Sequence, residues 1–421
     1  MTVQMKDSGT ASGITVPQHW QVVDFWTVAK QVSVSGVPNE PLMSVYLDRG
    51  VIPYSEGGGV VHKPSESLEG YQLVMPGYFV MNNQQAHRGS VGVSKFQGIV
   101  SPAYLVFSLS GSIDPNFADY QFRESRFVDE MMLSSQGVGD IQRQVKWYLL
   151  RKAKVFLPPI EEQLQIVSHL DHTTSRIDGL IAKKTRFIDL LREKRHAQVT
   201  HAVTKGLDTN AKMKDSGVEW LGELPEAWDT APLRTFLKLR RDIVGSDSAT
   251  TKLLSLTLQG VIERDLENPT GKMPASFDGY QRISAGEMVF CLFDMDETPR
   301  TVGITSQDGM LTGAYTVFQS RSELWARYLY YFFLHVDEYK RLKPFYKGLR
   351  KTIRPGPFLS IQVPRPDEKE AEAIVSHLDR ATARIDALIA KTERSIELLR
   401  EHRSALIAAA VTGKIDLRNA A

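Results

Sequence analysis

The most telling charge in the sequence lies at Lys340–Arg354, which reads KRLKPFYKGLRKTIR. Lys340, Arg341, Lys343, Lys347, Arg350, Lys351 and Arg354 follow one another there with no acid between them, and Phe345 and Tyr346 are interleaved. Basic groups in such a run neutralise phosphates and release their counterions, and an arginine fork also matches the acceptor edge of guanine. Gly348 lets the backbone approach a phosphate closely. Lys343, Tyr346, Lys347, Arg350, Lys351 and Arg354 are therefore candidate contacts to duplex DNA. The plainer alternative is a solvated basic loop. The corresponding earlier stretch, Gly137–Lys154, is sparser and contributes Arg143 and Lys146 as candidates. His87, Arg88 and Arg300 complete the set. Each stands in a polar stretch where variation would alter binding without touching a fold.

Residues that would do covalent chemistry are not spaced for it. Methyl transfer to a DNA amino group needs a glycine-rich cofactor loop and an Asn/Asp-Pro-Pro-aromatic motif. Asp114-Pro115-Asn116 and Asn268-Pro269-Thr270 lack the second proline and the aromatic. A restriction-type nuclease needs Pro-Asp followed by Glu-x-Lys. Pro366-Asp367 has no such partner after it, and Glu338-Tyr339-Lys340 has no Pro-Asp suitably before it. There is no Gly-x-x-x-x-Gly-Lys-Ser/Thr loop for a nucleotide. The histidines and the single Cys291 show no zinc spacing. His169 and His377 occupy equivalent repeat positions, which suits a polar contact between two helices better than a metal.

The elements that would position the basic run are written twice. Ile166–Asp208 and Ile374–Asp416 align without a gap at an offset of 208, with 26 of 43 positions identical. The match includes charged positions, which unrelated surface helices would have no reason to share. Each copy reads as one long amphipathic helix. Its apolar stripe is Ile166, Leu170, Ile177, Leu180, Ile181, Ile188 and Leu191 in the first copy. In the second it is Ile374, Leu378, Ile385, Leu388, Ile389, Ile396 and Leu399. Pro158-Pro159 and then Glu161-Glu162 precede the first copy, and Pro364, Pro366, Asp367 and Glu368 the second. Gly206 and Gly413 mark the stops. A helix from Ile166 to Val203 would be roughly 57 Å long at ~1.5 Å per residue. With one apolar stripe it needs a partner, and the chain supplies a near-copy.

The segments between the helices repeat more weakly. Met5-Lys6-Asp7-Ser8-Gly9 recurs as Met213-Lys214-Asp215-Ser216-Gly217, and Pro17 and Trp20 as Pro225 and Trp228, all at offset 208. Gly70-Tyr71 and Gly77 match Gly279-Tyr280 and Gly286 at offset 209. Gly92, Gly98, Ala103-Tyr104, Val106 and Phe107 match Gly303, Gly309, Ala314-Tyr315, Val317 and Phe318 at offset 211. These are fold scaffolding: turns needing positive φ, and aromatic core. The chain divides into a mixed α+β domain at 1–155, a helix at 156–208, a second domain of the same fold at 209–362 that opens on a polar linker (209–217), and a second helix with a short tail at 363–421.

The totals fit this organisation. The 421 residues suit several domains, and a net charge of +2 neither demands nor excludes nucleic acid. A lone cysteine forms no internal disulfide and argues for a reducing compartment. No apolar run is long enough to span a membrane, and MTVQMKDSGTASG lacks a signal peptide's apolar core. A cytoplasmic protein without a membrane partner is expected.

The order domain, helix, domain, helix resembles the specificity subunit of type I restriction-modification enzymes. The residues that carry the resemblance are Met213–Trp228 (MKDSGVEWLGELPEAW), Leu157–Val167 (LPPIEEQLQIV) and the repeated HLD…RIDxLIxK…LLRExR helix. The resemblance covers the whole chain. It implies two target-recognition domains, each reading one half of a bipartite DNA target with a fixed spacer. It implies two long helices paired antiparallel as a coiled-coil spacer with pseudo-two-fold symmetry, docking two methyltransferase (M) subunits and, through the complex, restriction (R) subunits. It also implies no chemistry or cofactor on this chain; S-adenosylmethionine, ATP and magnesium belong to the partner subunits. The helix-pair and M-subunit interface would then be Leu170, Ile177, Leu180, Ile181, Ile188 and Leu191 with Leu378, Ile385, Leu388, Ile389, Ile396 and Leu399. Two places depart from the family pattern. MKDSG in the first domain continues as TASGITVPQHW, and Val363-Pro364-Arg365-Pro366-Asp367 lacks the Glu-Glu-Gln that leads into the first helix. Altered local contacts are expected there. The rival readings are a coiled-coil adaptor whose domains bind protein, which salt-dependent DNA binding would exclude, and a self-contained nuclease or methyltransferase, which the missing motifs oppose.

Overall fold

The computed structural model describes residues 4–10, 13–47, 49–57, 64–137, 143–265 and 274–416. The chain forms two compact units, one of residues 1–185 with 394–421 and one of residues 186–393. The division falls inside both long helices, after Thr185 and after Glu393, positions related by the offset of 208. The helices run Ile160–Lys205 and Glu368–Val411. Each unit therefore holds one domain and a half of each helix, so a helix is shared between cores and is not an element apart.

The helix limits follow local chemistry. Pro158 and Pro159 end the preceding strand, and Glu161 and Glu162 face the positive N-terminus of the first helix. Asp367 starts the second, its Oδ1 accepting from the Glu370 N–H at 2.8 Å. Gly206 (φ 76°) stops the first helix in the left-handed conformation. Along both helices the inward seam advances by alternating steps of four and three: Leu170, Thr174, Ile177, Ile181, Lys184, Ile188, Leu191, and likewise Leu378, Thr382, Ile385, Ile389, Thr392, Ile396, Leu399. Within the unit of residues 186–393, Arg195 meets Asp386 at 3.0 Å and Arg192 meets Glu393 at 3.4 Å, so the two helix halves run antiparallel. In the other unit Arg403 meets Asp178 at 3.0 Å, the same pair of positions under the repeat.

In the first unit a four-stranded antiparallel sheet has the order Ala29–Val32, Tyr104–Leu109, Phe79–Asn82, Val91–Val93. The second has the same order in Leu237–Arg240, Thr316–Ser320, Met288–Phe290, Val302–Ile304. The matched residues sit where scaffolding must. Val106, Phe107, Val317 and Phe318 are buried, Phe107 against Phe25 and Phe79, and Phe318 against Phe290 and Phe358. Gly77 and Gly286 take φ of 86° and 85°. Gly98 and Gly309 have another reason to be glycine. A Cβ there would run into Met43 or Leu254 on the neighbouring strand pair.

Three contacts seat each domain on the helices, and each occurs in both units. Hairpins Met5–Asp7/Thr15–Pro17 and Met213–Asp215/Glu223–Pro225 pair in identical register, Lys6 opposite Val16 and Lys214 opposite Leu224. The tryptophan after each is buried, and its Nε1–H donates to the first turn of the domain's own helix: Trp20 to Glu162 at 3.0 Å, Trp228 to Glu370 at 2.7 Å. The last turn of the other helix closes on the same spot. A Cβ at Gly413 would collide with Pro17, and one at Gly206 would approach Glu370 and Trp228. Finally, Tyr120 Oη donates to Asp171 at 2.7 Å beside Thr174, and Tyr331 Oη to Asp379 at 2.8 Å beside Thr382. The divergent stretches keep what matters: Val16 and Leu224 are both buried, and Glu370 stands where Glu162 does. What is altered is Gln163, bonded to Ser112 and Asp114, against Ala371, packed in an apolar core.

Candidate nucleic-acid interface

The basic run of the second unit folds into a short turn, Lys343–Phe345, and then a tight hairpin. Lys347 and Thr352 exchange backbone hydrogen bonds of 3.0 and 3.1 Å, and Lys351 N–H donates to Gly348 C=O at 3.1 Å. Gly348 takes φ 69°, so the left-handed turn of the hairpin is itself a reason for a glycine there. Leu349 stands at the tip with its side chain fully exposed (102%).

The run has no acid of its own, but the fold brings acids to it. Arg350 pairs with Asp294 at 2.8 Å. Lys351 pairs with Glu297 at 2.7 Å and Asp296 at 3.0 Å, and Lys343 lies 3.6 Å from Asp296. Lys340 pairs with the buried Asp337 at 2.7 Å. The segment is thus a mixed network in which the bonded lysine holds Asp296 below the usual carboxylate range, and Glu297 and Asp296 push Lys351 up to about 12. Burial, reinforced by the negative charge of Asp296, pushes Tyr346 up to about 12, so it stays a neutral donor. Among the described residues of the run, Lys347 and Arg354 are exposed and have no ion-pair partner, whereas Arg341 is half-buried and donates to His335 and to the Trp220 C=O. These two are the cations free to meet phosphate. The sequence displays Asp294-Met295-Asp296-Glu297 openly, but nothing in its spacing says that it faces a run some fifty residues later.

Backbone strain gathers at the same place. Among the described residues the non-glycine positions with positive φ are Asp294 (46°), Lys340 (47°) and Lys351 (43°), and all three belong to this network. The left-handed region costs an ordinary residue about 1 kcal/mol or more. Ion pairs and the backbone bonds Asp294 N–H to Arg350 C=O (2.8 Å) and Ile353 N–H to Leu292 C=O (2.9 Å) hold it there.

The remaining candidates are scattered. Arg300 is half-buried, donates to Leu258 C=O at 3.4 Å and lines a cavity of about 130 Å³ with Arg195, Thr200 and His335. His87 and the exposed Arg88 form a turn packed on the helix Ser125–Leu133, and Arg88 borders a depression with Asp119, Arg123 and Arg403. Arg143 is half-buried and Lys146 precedes the short helix Trp147–Leu150. Part of the Gly137–Lys154 stretch, residues 138–142, and Asn268-Pro269-Thr270 lie outside the described residues.

Of the proposed interface residues on the helices, Leu170, Ile177, Ile188, Leu191, Leu378, Ile385 and Ile396 are buried and Ile181, Ile389 and Leu399 half-buried. Leu180 and Leu388 face solvent, 48% and 39% exposed, because they fall beside the four-three seam. Leu190 and Leu398, another equivalent pair, are exposed as well. No group of three or more His, Cys, Asp or Glu side chains is placed to hold a metal among the described residues, and no described helix is long and apolar enough to cross a membrane.

No protein-family model matches the sequence. The chain is 25% identical over 236 residues to the type I restriction enzyme MjaVIII specificity subunit of Methanocaldococcus jannaschii, a stretch covering 54% of this chain and 51% of that protein. It is 21% identical over 241 residues to the putative type I restriction enzyme MjaX specificity subunit of the same organism, covering 52% of each. The chain resembles type I restriction enzyme specificity subunits. The match spans about half the length of these relatives. The fold extends further. A chain from the solved type I R-M system superimposes with a TM-score of 0.67 at 14% identity, over 95% of this chain and 99% of that one. The HsdS subunit from Thermoanaerobacter tengcongensis gives 0.50 at 14% identity, over 95% and 98%. The likeness of fold thus extends over nearly the whole chain.

Proposed function

We propose that this chain is the DNA-specificity subunit of a cytoplasmic type I restriction-modification complex. Its two domains read the halves of a bipartite target, and the antiparallel helices separate them by a fixed spacer. Methylation and cleavage belong to two M subunits and to R subunits, which carry S-adenosylmethionine, ATP and magnesium; this chain carries no reaction. The observation that carries the reading is the doubling of the seat. The Trp–Glu and Tyr–Asp contacts recur at equivalent positions, while the surface between them differs. Two identical partners presented to two unlike half-sites require that combination. The basic hairpin supports the DNA side, with Lys347 and Arg354 on phosphate. Its acid pairing is the one observation that favours a protein-binding adaptor instead.

The test is binding of the full chain to duplex DNA across a salt series, joined to methylation mapping in the source genome. Two unlike methylated half-sites with a constant gap are expected. Lys347→Ala should weaken binding to all sequences and lower the salt slope by about one. Salt-independent association, or no DNA binding, would favour the adaptor.

A further inference from the structure

We infer that Leu349 is a wedge. It enters the DNA minor groove and partly unstacks one base step. The inference rests on the DNA reading of the chain. A leucine has neither donor nor acceptor, so it cannot read a base edge by hydrogen bonding. Yet here it is fully exposed at the apex of a hairpin, with Lys347 and Arg350 on either side of the tip. Apolar side chains used to part base steps share two needs, stiffness behind them and cations beside them.

Both are present. The Lys347–Thr352 pairing and the Lys351-to-Gly348 bond close the turn. Lys351 is held at φ 43° while its ammonium is bonded to Glu297 and Asp296. Arg350 is pinned to Asp294 and lies over the Phe293 ring, 5.6 Å from its centroid. The ion pairs that take Arg350 and Lys351 out of phosphate binding thereby gain a purpose: they brace the tip. Lys347 and Arg354 remain to neutralise phosphates on either side of a bend.

The experiment compares the wild-type full chain with Leu349→Ala, Leu349→Ser and Lys347→Ala, on short duplexes bearing the methylated site mapped from the genome. 2-Aminopurine is placed at successive positions of each duplex. Leu349 touches little of its own domain, so thermal stability should not change. The wedge requires enhanced 2-aminopurine fluorescence at one step with the wild type. Both leucine variants should lose that signal and bind about ten- to a hundred-fold more weakly, the equivalent of a leucine left in water. If Leu349→Ala binds as the wild type does while Lys347→Ala weakens binding, the wedge is wrong and the DNA reading stands. If neither variant changes affinity, both ideas fail at this hairpin. Weaker binding of Leu349→Ala without any wild-type fluorescence change would mean an apolar contact to stacked bases, such as a thymine methyl, and would also overturn the wedge.

Discussion

His335 shows how one side chain senses its seat. It lies buried on the helix Glu323–Glu338, against Thr200 of the first long helix. Arg341 has only donors, so His335 Nε2 accepts its N–H at 3.1 Å, and the ring proton sits on Nδ1, 3.0 Å from Thr200 Oγ1. Burial first, then the Arg341 charge, lowers its pKa from 6.5 to about 4. Arg195, His196, Asp337 and Lys340 line the cavity beside it. The unfolded chain takes up the proton first, so the stability His335 contributes is complete above about 6.5 and declines as pH falls towards about 4. The slope should be on the order of 1 kcal/mol per pH unit. Urea melts followed by tryptophan fluorescence should show this loss between about pH 7 and about pH 5, and His335→Gln should flatten it. Equal slopes in the two proteins would show that another group governs acid sensitivity.

At the scale of elements, the seam of the long helices is the part most exposed to a single change. Ile177 and Ile385 are each 5% exposed at equivalent positions. Aspartate at either would bury an unpaired charge at a cost of several kcal/mol. Both variants should melt well below the wild type, and an unchanged melt for either would refute the seam. Much of this was legible in the sequence because a helix announces itself by period and the chain repeats it. The repeat also marked Trp20 and Trp228 as equivalent, and each donates to the equivalent acid of its own helix, Glu162 or Glu370. Other features were not legible. Leu180 and Leu388 look like stripe residues because three-residue steps are ambiguous until the seam is known. The DMDE segment gives no sign that it braces the basic hairpin, because that contact is made by tertiary folding alone. Tyr120 and Tyr331 stand at the same offset of 211 as Gly92 and Gly303, but their spacing alone does not show that each reaches a helix carboxylate, Asp171 or Asp379, because that contact is tertiary.

For the whole molecule, the proposed ruler can be lengthened only where it is not seated. The end of the first helix looks like a natural site for insertion, but Val199, Ala202 and Val203 are buried in the core of the second unit. The place to insert is the division after Thr185 and, on the antiparallel partner, after Glu393. Seven residues in each helix keep the four-three seam and add about 10 Å. At ~3.4 Å per base pair the preferred gap between half-sites should grow by about three base pairs. The half-sites themselves should stay the same, because base contacts remain within the domains. Genome-wide methylation mapping of the variant would reveal altered half-sites with an unaltered gap if the ruler idea is wrong.

The way the units share the helices also sets an order of manufacture. The unit of residues 186–393 is one continuous stretch of chain, all of it made before the last residues of the first unit. The first unit is not. Ile166 and Leu170 wait for Leu406, Ile407, Ala410 and Val411, which are made more than two hundred residues later. The domain translated first is therefore finished last, and until then the apolar face of its helix is open to whatever else is in the cell.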